Sequence, residues 1–142
     1  MDGFEFHDSI IKRVDFSKNQ LALEFDGASK FCTNTNKYEY VENNVEIVLN
    51  NFNVESMIHQ GYWTQTSNTE RYEVKPKLVD FSDYQQVIEK IPNCDNYIQT
   101  IEVLPKKAGN FRVHFAIGCG GAEFGYDLIV VCKGIIINYP VG

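Results

Sequence analysis

The stretch that decides the fold alternates apolar and polar side chains around a short polar break: Phe4-Glu5-Phe6-His7-Asp8-Ser9-Ile10-Ile11-Lys12-Arg13-Val14-Asp15-Phe16, then Ser17-Lys18-Asn19, then Gln20-Leu21-Ala22-Leu23-Glu24-Phe25. Side chains two positions apart share a face of a β-strand, so this period of two predicts two strands. The Ser-Lys-Asn segment suits a tight turn between them. We therefore expect a β-hairpin. Because Asp8 and Lys12 interrupt the apolar face of its first strand, either a bulge near His7 and Asp8 resets the register or that face is partly exposed.

The middle of the chain predicts weaker elements. Glycine and asparagine residues make 26–36 a loop, and a turn at Asn43 and Asn44 separates two further strands at 37–41 and 45–49. Asn53 is placed to cap a short helix over 54–60 that Gly61 ends. Residues 61–72 carry no apolar pattern and are expected to form a loop.

The clearest helical pattern covers residues 82–91, where apolar side chains recur at helical spacing. Ser82 and Gln85 have the spacing of a capping box, and Pro92 marks the end of the helix. This apolar face is expected to cover a sheet.

Period-two patterns at 97–104, 111–117, 123–132 and 135–139 predict four more strands, joined by turns that include residues 105–110. Within them, 128–132 and 135–137 are apolar on both faces, which is typical of central strands. The short connections favour antiparallel pairing. The sequence thus predicts one α+β domain over residues 1–142, an antiparallel sheet of about 6–8 strands packed against one main helix and one short helix.

The net charge of -6 argues against nucleic-acid binding, which requires a basic face. Residues 1–60 hold ten Asp and Glu against five Lys and Arg, whereas residues 61–142 hold nine against eight. This acidic excess has two interpretations: it keeps the protein soluble, or it attracts a basic partner.

The four cysteines, Cys32, Cys94, Cys119 and Cys132, lack the close spacing of zinc ligands. No secretory signal is recognisable, so we expect free thiols in the reducing cytoplasm. The longest apolar run is too short to cross a bilayer, and no membrane association is expected.

His7, Asp8 and Ser9 are the side chains in the hairpin that resemble parts of a hydrolase site. Adjacent residues of a strand point to opposite faces, so His7 and Asp8 are not expected to pair. We expect instead that Asp8 accepts backbone N–H bonds at the bulge and that His7 bonds across strands. The glycine-rich segment at 118–121 lacks the lysine and the following helix of a phosphate loop. No metal or cofactor is therefore expected.

The aromatic side chains that interleave with polar residues are Tyr38, Tyr40, Tyr62, Trp63 and Tyr72. They either cover the edge of the core or the base of a loop, or they anchor a protein interface, where Tyr and Trp contribute much of the binding energy. Such residues concentrate in the acidic first half of the chain and at the start of the predicted 61–72 loop. The candidate partner-binding residues are Glu39, Tyr40, Glu42, Glu46, Glu55, Tyr62 and Trp63.

The motif Phe6-His7-Asp8-Ser9-Ile10-Ile11, followed by a strand ending in Leu21-Ala22-Leu23-Glu24-Phe25, resembles an N-terminal Phe/Trp-His-Asp-Ser/Ala motif of uncharacterised bacterial proteins. Several of those proteins resemble immunity proteins, which are small cytoplasmic inhibitors of toxin domains. The resemblance covers about 25 residues. It implies α+β architecture, no enzymatic activity and no cofactor.

Two functions from different classes follow, and a third possibility is a structural module that forms a homodimer through an edge strand. The preferred one is a non-catalytic cytoplasmic immunity protein, monomeric or homodimeric, that occludes a basic toxin domain. The alternative is a small enzyme or small-ligand-binding protein whose pocket lies between sheet and helix. Its candidate residues are His7, Ser9, His59 and His114, and their convergence in one cleft would favour it.

Overall fold

The computed structural model describes residues 3–65, 67–119 and 125–140, which are mostly β-structure. The strands are β1 (Phe4–Glu5), β2 (Ile11–Phe16), β3 (Gln20–Cys32), β4 (Lys37–Asn50), β5 (Asn53–His59), β6 (Tyr62–Gln65), β7 (Arg71–Val74), β8 (Lys77–Leu78), β9 (Tyr97–Lys107), β10 (Asn110–Gly118), β11 (Tyr126–Cys132) and β12 (Gly134–Asn138). One short helix, α1 (Tyr84–Glu89), lies between 3-10 turns at Phe81–Asp83 and Ile91–Cys94.

The strands form two five-stranded antiparallel sheets and a two-stranded one. In sheet A the order is β1-β3-β4-β12, with β2 also pairing β3, and in sheet B it is β8-β5-β11-β10-β9. The inner faces of both sheets share one apolar core, which includes Phe25, Leu49, Phe115 and Val130. The antiparallel α+β architecture is confirmed, but the expectation of one sheet is wrong because the strands divide into two layers.

The predicted first strand is interrupted at His7 and Asp8. Asp8 has a φ of 65°, a left-handed conformation that Asp tolerates better than most residues. The Asp8 N–H donates to the carbonyl of Ile98 at 2.8 Å, and the Ile98 N–H donates to Ser9 at 2.9 Å. The Ile11 N–H donates to the Asn96 carbonyl at 2.9 Å. These hydrogen bonds join the edge of sheet A to the start of β9. We call residues 6–11 the junction.

Two side chains fix the junction to β3. The Ser9 hydroxyl is buried and donates to the Gly27 carbonyl at 2.7 Å. The Asp26 carboxylate accepts from the Ile10 N–H at 2.9 Å. The expected bond of His7 across strands is confirmed, since Nδ1 lies 2.8 Å from the Gln99 carbonyl. Asp26, rather than Asp8, supplies the carboxylate that accepts the backbone N–H.

Strands β3 and β4 form one long hairpin, so the predicted loop at 26–36 is wrong for residues up to Cys32. Asn43 and Asn44 do not end a strand either. Both have positive φ and lie inside β4, where the register shifts from Phe25 opposite Val45 to Gly27 opposite Glu42. Asparagine tolerates this conformation, so the two residues form a bulge instead of a turn.

The short helix predicted at 54–60 is a strand, β5. Asn53 and Gly61 suggested the two ends of a helix, but the residues between them pair with β11 across a bulge, where the register shifts between Ile129 opposite Ser56 and Val130 opposite Val54. The extra residue, Glu55, allows Val54 and Met57 both to face the core although they are three positions apart.

The main helix is shorter than predicted. Regular α-helix covers Tyr84–Glu89 only, and Ile88 and Ile91 supply its buried contacts. The predicted capping box is wrong because Asp80 caps the preceding turn, accepting from the Ser82 N–H at 3.1 Å. In the described ranges, no helix is long and apolar enough to cross a membrane.

The predicted loop at 61–72 contains most of an antiparallel pair, β6 with β7. The strands predicted in the last third are confirmed as β9 to β12 in close to their expected places, except that residues 120–124 lie outside the described part. Strand β11 is central in sheet B as expected, but β12 is at the edge of sheet A, and Ile136 is 48% exposed.

We predict that Ser9→Ala lowers the free energy of unfolding by about 1–2 kcal/mol, because it removes the donor to a carbonyl in the buried junction. Urea denaturation followed by circular dichroism measures this change. Ser17→Ala is the matched control, since the Ser17 hydroxyl makes the same type of bond, to the Gln20 carbonyl, at an exposed turn. Equal losses in the two variants would contradict the role of the junction.

Candidate functional site

The outer face of β4 presents a row of aromatic and acidic side chains. Tyr38 and Tyr40 are 60% and 61% exposed, Glu42 is exposed and Glu46 is half-buried. Side chains on alternate strand positions share a face, which places Tyr38, Tyr40 and Glu42 together. We call these four residues the β4 row.

The Asn43–Asn44 bulge keeps the two halves of the row on one face. Beyond it, Val45 and Ile47 are fully buried and Glu46 points the opposite way. Before it, Val41 packs against the core, so Glu42 points outward. Glu46 and Glu42 therefore both face outward, four positions apart, with Val45 and Val41 behind them.

Neighbouring groups on β3 support the aromatic side chains of the row. The ring of Phe31 contacts that of Tyr38 edge-to-face, with centroids 5.3 Å apart. Tyr40 lies over Gly27, where an added Cβ would collide with the tyrosine and approach the Val41 carbonyl oxygen to 2.7 Å. Glycine at position 27 thus leaves the space that the Tyr40 ring occupies.

The surroundings of Tyr40 are electronegative. Partial burial, together with the carboxylates of Asp26 and Glu42, raises the pKa of its hydroxyl above 10.0. Farther along sheet A, Glu24 lies directly opposite Glu46. Such an arrangement of carboxylates around an aromatic ring favours a cationic group on this face.

Two basic side chains of sheet A, Lys30 and Arg13, are paired with groups other than the carboxylates around Tyr40. Lys30 lies on the inner side, where it donates to the Tyr139 hydroxyl at 2.8 Å and lies 4.2 Å from the centre of that ring. Arg13 pairs with Glu24 at 3.1 Å, on the far side of the sheet from Tyr38. Asp26 accepts the Ile10 N–H, and Glu42 is the exposed carboxylate near Tyr40 that a partner can reach.

The structure separates the other predicted partner-binding residues from this row. Glu39 lies on the opposite face of β4, where partial burial and then the nearby Glu39 carboxylate raise the pKa of the Cys32 thiol. Glu55 lies on sheet B. Tyr62 and Trp63 belong to β6, and their side chains lie outside the described part of the chain.

Glu55 is held in a charged cluster on the outer face of sheet B. Its carboxylate lies 2.8 Å from Arg112 Nη2 and 3.5 Å from Lys107 Nζ. The hydrogen bond and charge of Arg112, and secondarily those of Lys107, hold the pKa of Glu55 below 4.5. These contacts use Glu55 within the protein itself.

Sequence reasoning noted Tyr38 among the interleaved aromatic residues but left it out of the partner-binding candidates, and it missed Phe31. A strict period of two over 38–42 would have grouped Tyr38 with Tyr40 and would have separated Glu39 from Tyr40. Phe31 gave no signal, because its segment was interpreted as a loop and its contact with Tyr38 depends on the hairpin register.

The candidate catalytic residues include one pair that we did not expect. His7 Nε2 lies 3.6 Å from Asp8 Oδ2, since the left-handed conformation of Asp8 turns its side chain out of strand alternation. The bond to the Gln99 carbonyl, followed by the charge of Asp8, raises the pKa of His7 above 6.5. Both side chains are largely exposed.

The four candidates of the enzyme hypothesis take different partners. Ser9 donates to Gly27, and His7 bonds Gln99. His114 Nε2 lies 2.9 Å from Asp127 Oδ1, and the His59 ring contacts that of Tyr126. No hydrogen bond or ring contact between described residues joins any two of the four. Within the same ranges, no three His, Cys, Asp or Glu side chains are arranged to hold a metal ion.

Two open grooves flank the start of α1, on either side of the exposed Phe81. One, of about 600 Å³, is lined by Phe16, Phe52 and Tyr84. The other, of about 920 Å³, is lined by His59, Lys77 and Lys90 among others. Of the four candidate residues, His59 alone lines either of these two grooves, so neither gathers the groups that the enzyme hypothesis requires.

Comparison with known proteins adds no relative: the chain matches no family model, no curated protein and no solved structure.

We predict that Glu55→Gln lowers the free energy of unfolding by about 0.5–1 kcal/mol at neutral pH, the range for partly exposed ion pairs. The folded-state pKa of Glu55 is depressed, so its contribution is present above its ordinary value of 4.5. It is lost as the pH falls through the folded-state pKa, and the two proteins should then converge in stability.

Urea denaturation across a pH series tests this convergence. Glu102→Gln is the control, because Glu102 is an exposed carboxylate of the same sheet, on β9. A stability gap for Glu55→Gln that persists below about pH 2 would show that lost packing, not charge, causes it.

Proposed function

We propose that this protein is a non-catalytic protein-binding module of the immunity type, which binds a basic toxin domain in the cytoplasm and occludes it. One observation carries the proposal: Tyr38, Tyr40, Glu42 and Glu46 share one outward face of sheet A. The resemblance of the His7-Asp8-Ser9 motif to immunity-like proteins points the same way.

The β4 row has the composition of an interface. Tyrosines bury a large, rigid apolar area on binding, and they are enriched among the residues that dominate binding energy. Exposed tyrosines at 60% and 61% leave most of that area available. The carboxylates around them discriminate in favour of a basic surface, because unlike charges accelerate encounter and like charges repel.

Inhibition by occlusion requires no reaction centre in the inhibitor. The toxin's basic surface, which such a domain uses to bind an anionic substrate, would be covered by the acidic face of sheet A. Tyr38 and Tyr40 would be the desolvated anchors, and Glu42 and Glu46 the charged rim. This mechanism agrees with the separate structural contacts of Ser9, His7 and His114.

We predict that the protein forms a stable complex with the product of the adjacent gene and suppresses its toxicity when the two are co-expressed. Tyr40→Ala should weaken binding at least about tenfold, as expected for an anchor tyrosine. Glu42→Lys should mainly slow association and reduce its dependence on salt. Isothermal calorimetry and stopped-flow kinetics measure these effects.

Matched controls lie elsewhere on the surface. Tyr72→Ala removes an exposed tyrosine from β7, and Glu102→Lys reverses an exposed charge on β9. Both should bind like the unaltered protein. Absence of a complex and of any rescue from toxicity would count against the proposed function, and equal losses in the controls would move the interface away from sheet A.

A further inference from the structure

Strand β4 has an open edge beside the β4 row. On one side it pairs with β3 along most of its length, from Lys37 to Asn50. On the other side β12 pairs with it only from Asn50 to Glu46. Among the described residues, no other strand pairs with residues 37–45 on that side. We call this segment the β4 edge.

An open edge is a template for another strand, because every second residue directs its N–H and C=O away from the sheet. Natural proteins usually protect such edges with prolines, lysines or short strands. Strand β9 carries Pro105, Lys106 and Lys107 near its end, and β8 has two residues directly after Pro76. The β4 edge has no proline, its one lysine is Lys37, and the Asn43–Asn44 bulge leaves residues 37–42 as the regular part of the edge.

We propose that the β4 edge accepts an extended basic segment of the partner as an additional strand of sheet A. This inference rests on the proposed function and specifies how the partner binds. The added strand would run antiparallel to β4 along residues 37–45. This segment lies beyond the last residue pair between β12 and β4, which is Asn138 opposite Glu46. Backbone hydrogen bonds then supply affinity, and alternate side chains supply specificity.

The side chains along the edge define the chemistry of this segment. On the outer face, the segment would pass Tyr38, Tyr40 and Glu42, where Lys or Arg side chains find carboxylates and ring faces. On the inner face it would pass Lys37, Glu39 and Val41, and because Val41 packs against the core an apolar residue suits the position beside it. The predicted partner segment therefore alternates basic and apolar residues.

A second copy of the chain suits this edge less well than a basic partner. Each copy carries a net charge of -6, and its own acidic residues would be brought together along the new strand pair. Like charges placed across an interface cost affinity. The charge of the β4 edge thus favours a basic occupant.

The test uses a synthetic peptide that alternates lysine and valine, with blocked ends, added to the isotope-labelled full-length protein. Amide chemical shifts and hydrogen exchange report where it binds. We expect protection of alternate amides within residues 37–45. A peptide that alternates glutamate and valine should bind at least about tenfold more weakly, because the edge is acidic.

Two N-methylated versions of the basic peptide separate strand addition from simple charge attraction. One is methylated at odd backbone amides and the other at even ones, so both keep every lysine. In an added strand one set of amides faces β4, and we expect one version to lose about tenfold in affinity while the other binds normally. Equal binding of both versions would overturn strand addition.

Other outcomes also decide the question. No binding of the basic peptide, or protection of β9 or β12 instead of the β4 edge, would overturn the proposal. A stable dimer of the unbound protein that protects residues 37–45 would assign the edge to a second copy. These results leave the proposed function testable, because complex formation with the toxin is measured independently of how β4 is paired.

Discussion

The hydrogen bonds of the junction are the interaction on which the rest of the structure depends. Residues 8–11 lie between Asp26 and Gly27 of β3 and residues 96–98 at the start of β9. They join two sheets whose inner faces otherwise meet through apolar packing, at a place remote from the short β4–β5 and β11–β12 connections. Because hydrogen bonds are directional and packing is not, the junction fixes how the sheets are placed against each other.

Much of the strand content was predictable from the sequence, and bulges account for the main errors. Patterns of period two located β2, the first half of β3 and β9 to β12. At β5 a capping residue, Asn53, and a helix stop, Gly61, suggested a helix, whereas the residues between them form a strand with a bulge. At Asn43 and Asn44 residues typical of a turn formed a bulge inside β4. Local composition does not distinguish these cases, because the partner strand decides between them.

The candidate site was predictable only in part for the same reason. The sequence indicated an acidic, aromatic first half and selected Tyr40, Glu42 and Glu46, which the fold places on one face. It also selected Glu55, whose pairing with Arg112 depends on the order of strands in sheet B. Conversely, the contact between Phe31 and Tyr38 exists only in the register of the long hairpin. Which charges are neutralised within the protein follows from topology, not from composition.

The edge position of β12 has a consequence for synthesis on the ribosome. β12 completes sheet A by pairing with β4, and Tyr139 then contacts Phe4 and Lys30 of the opening strands. All of sheet B separates β4 from β12 in the sequence. Sheet A therefore cannot close co-translationally until β12 has left the exit tunnel, and such distant pairing slows folding. A chain arrested before β12 would expose the whole β4 flank, including Val48, to aggregation.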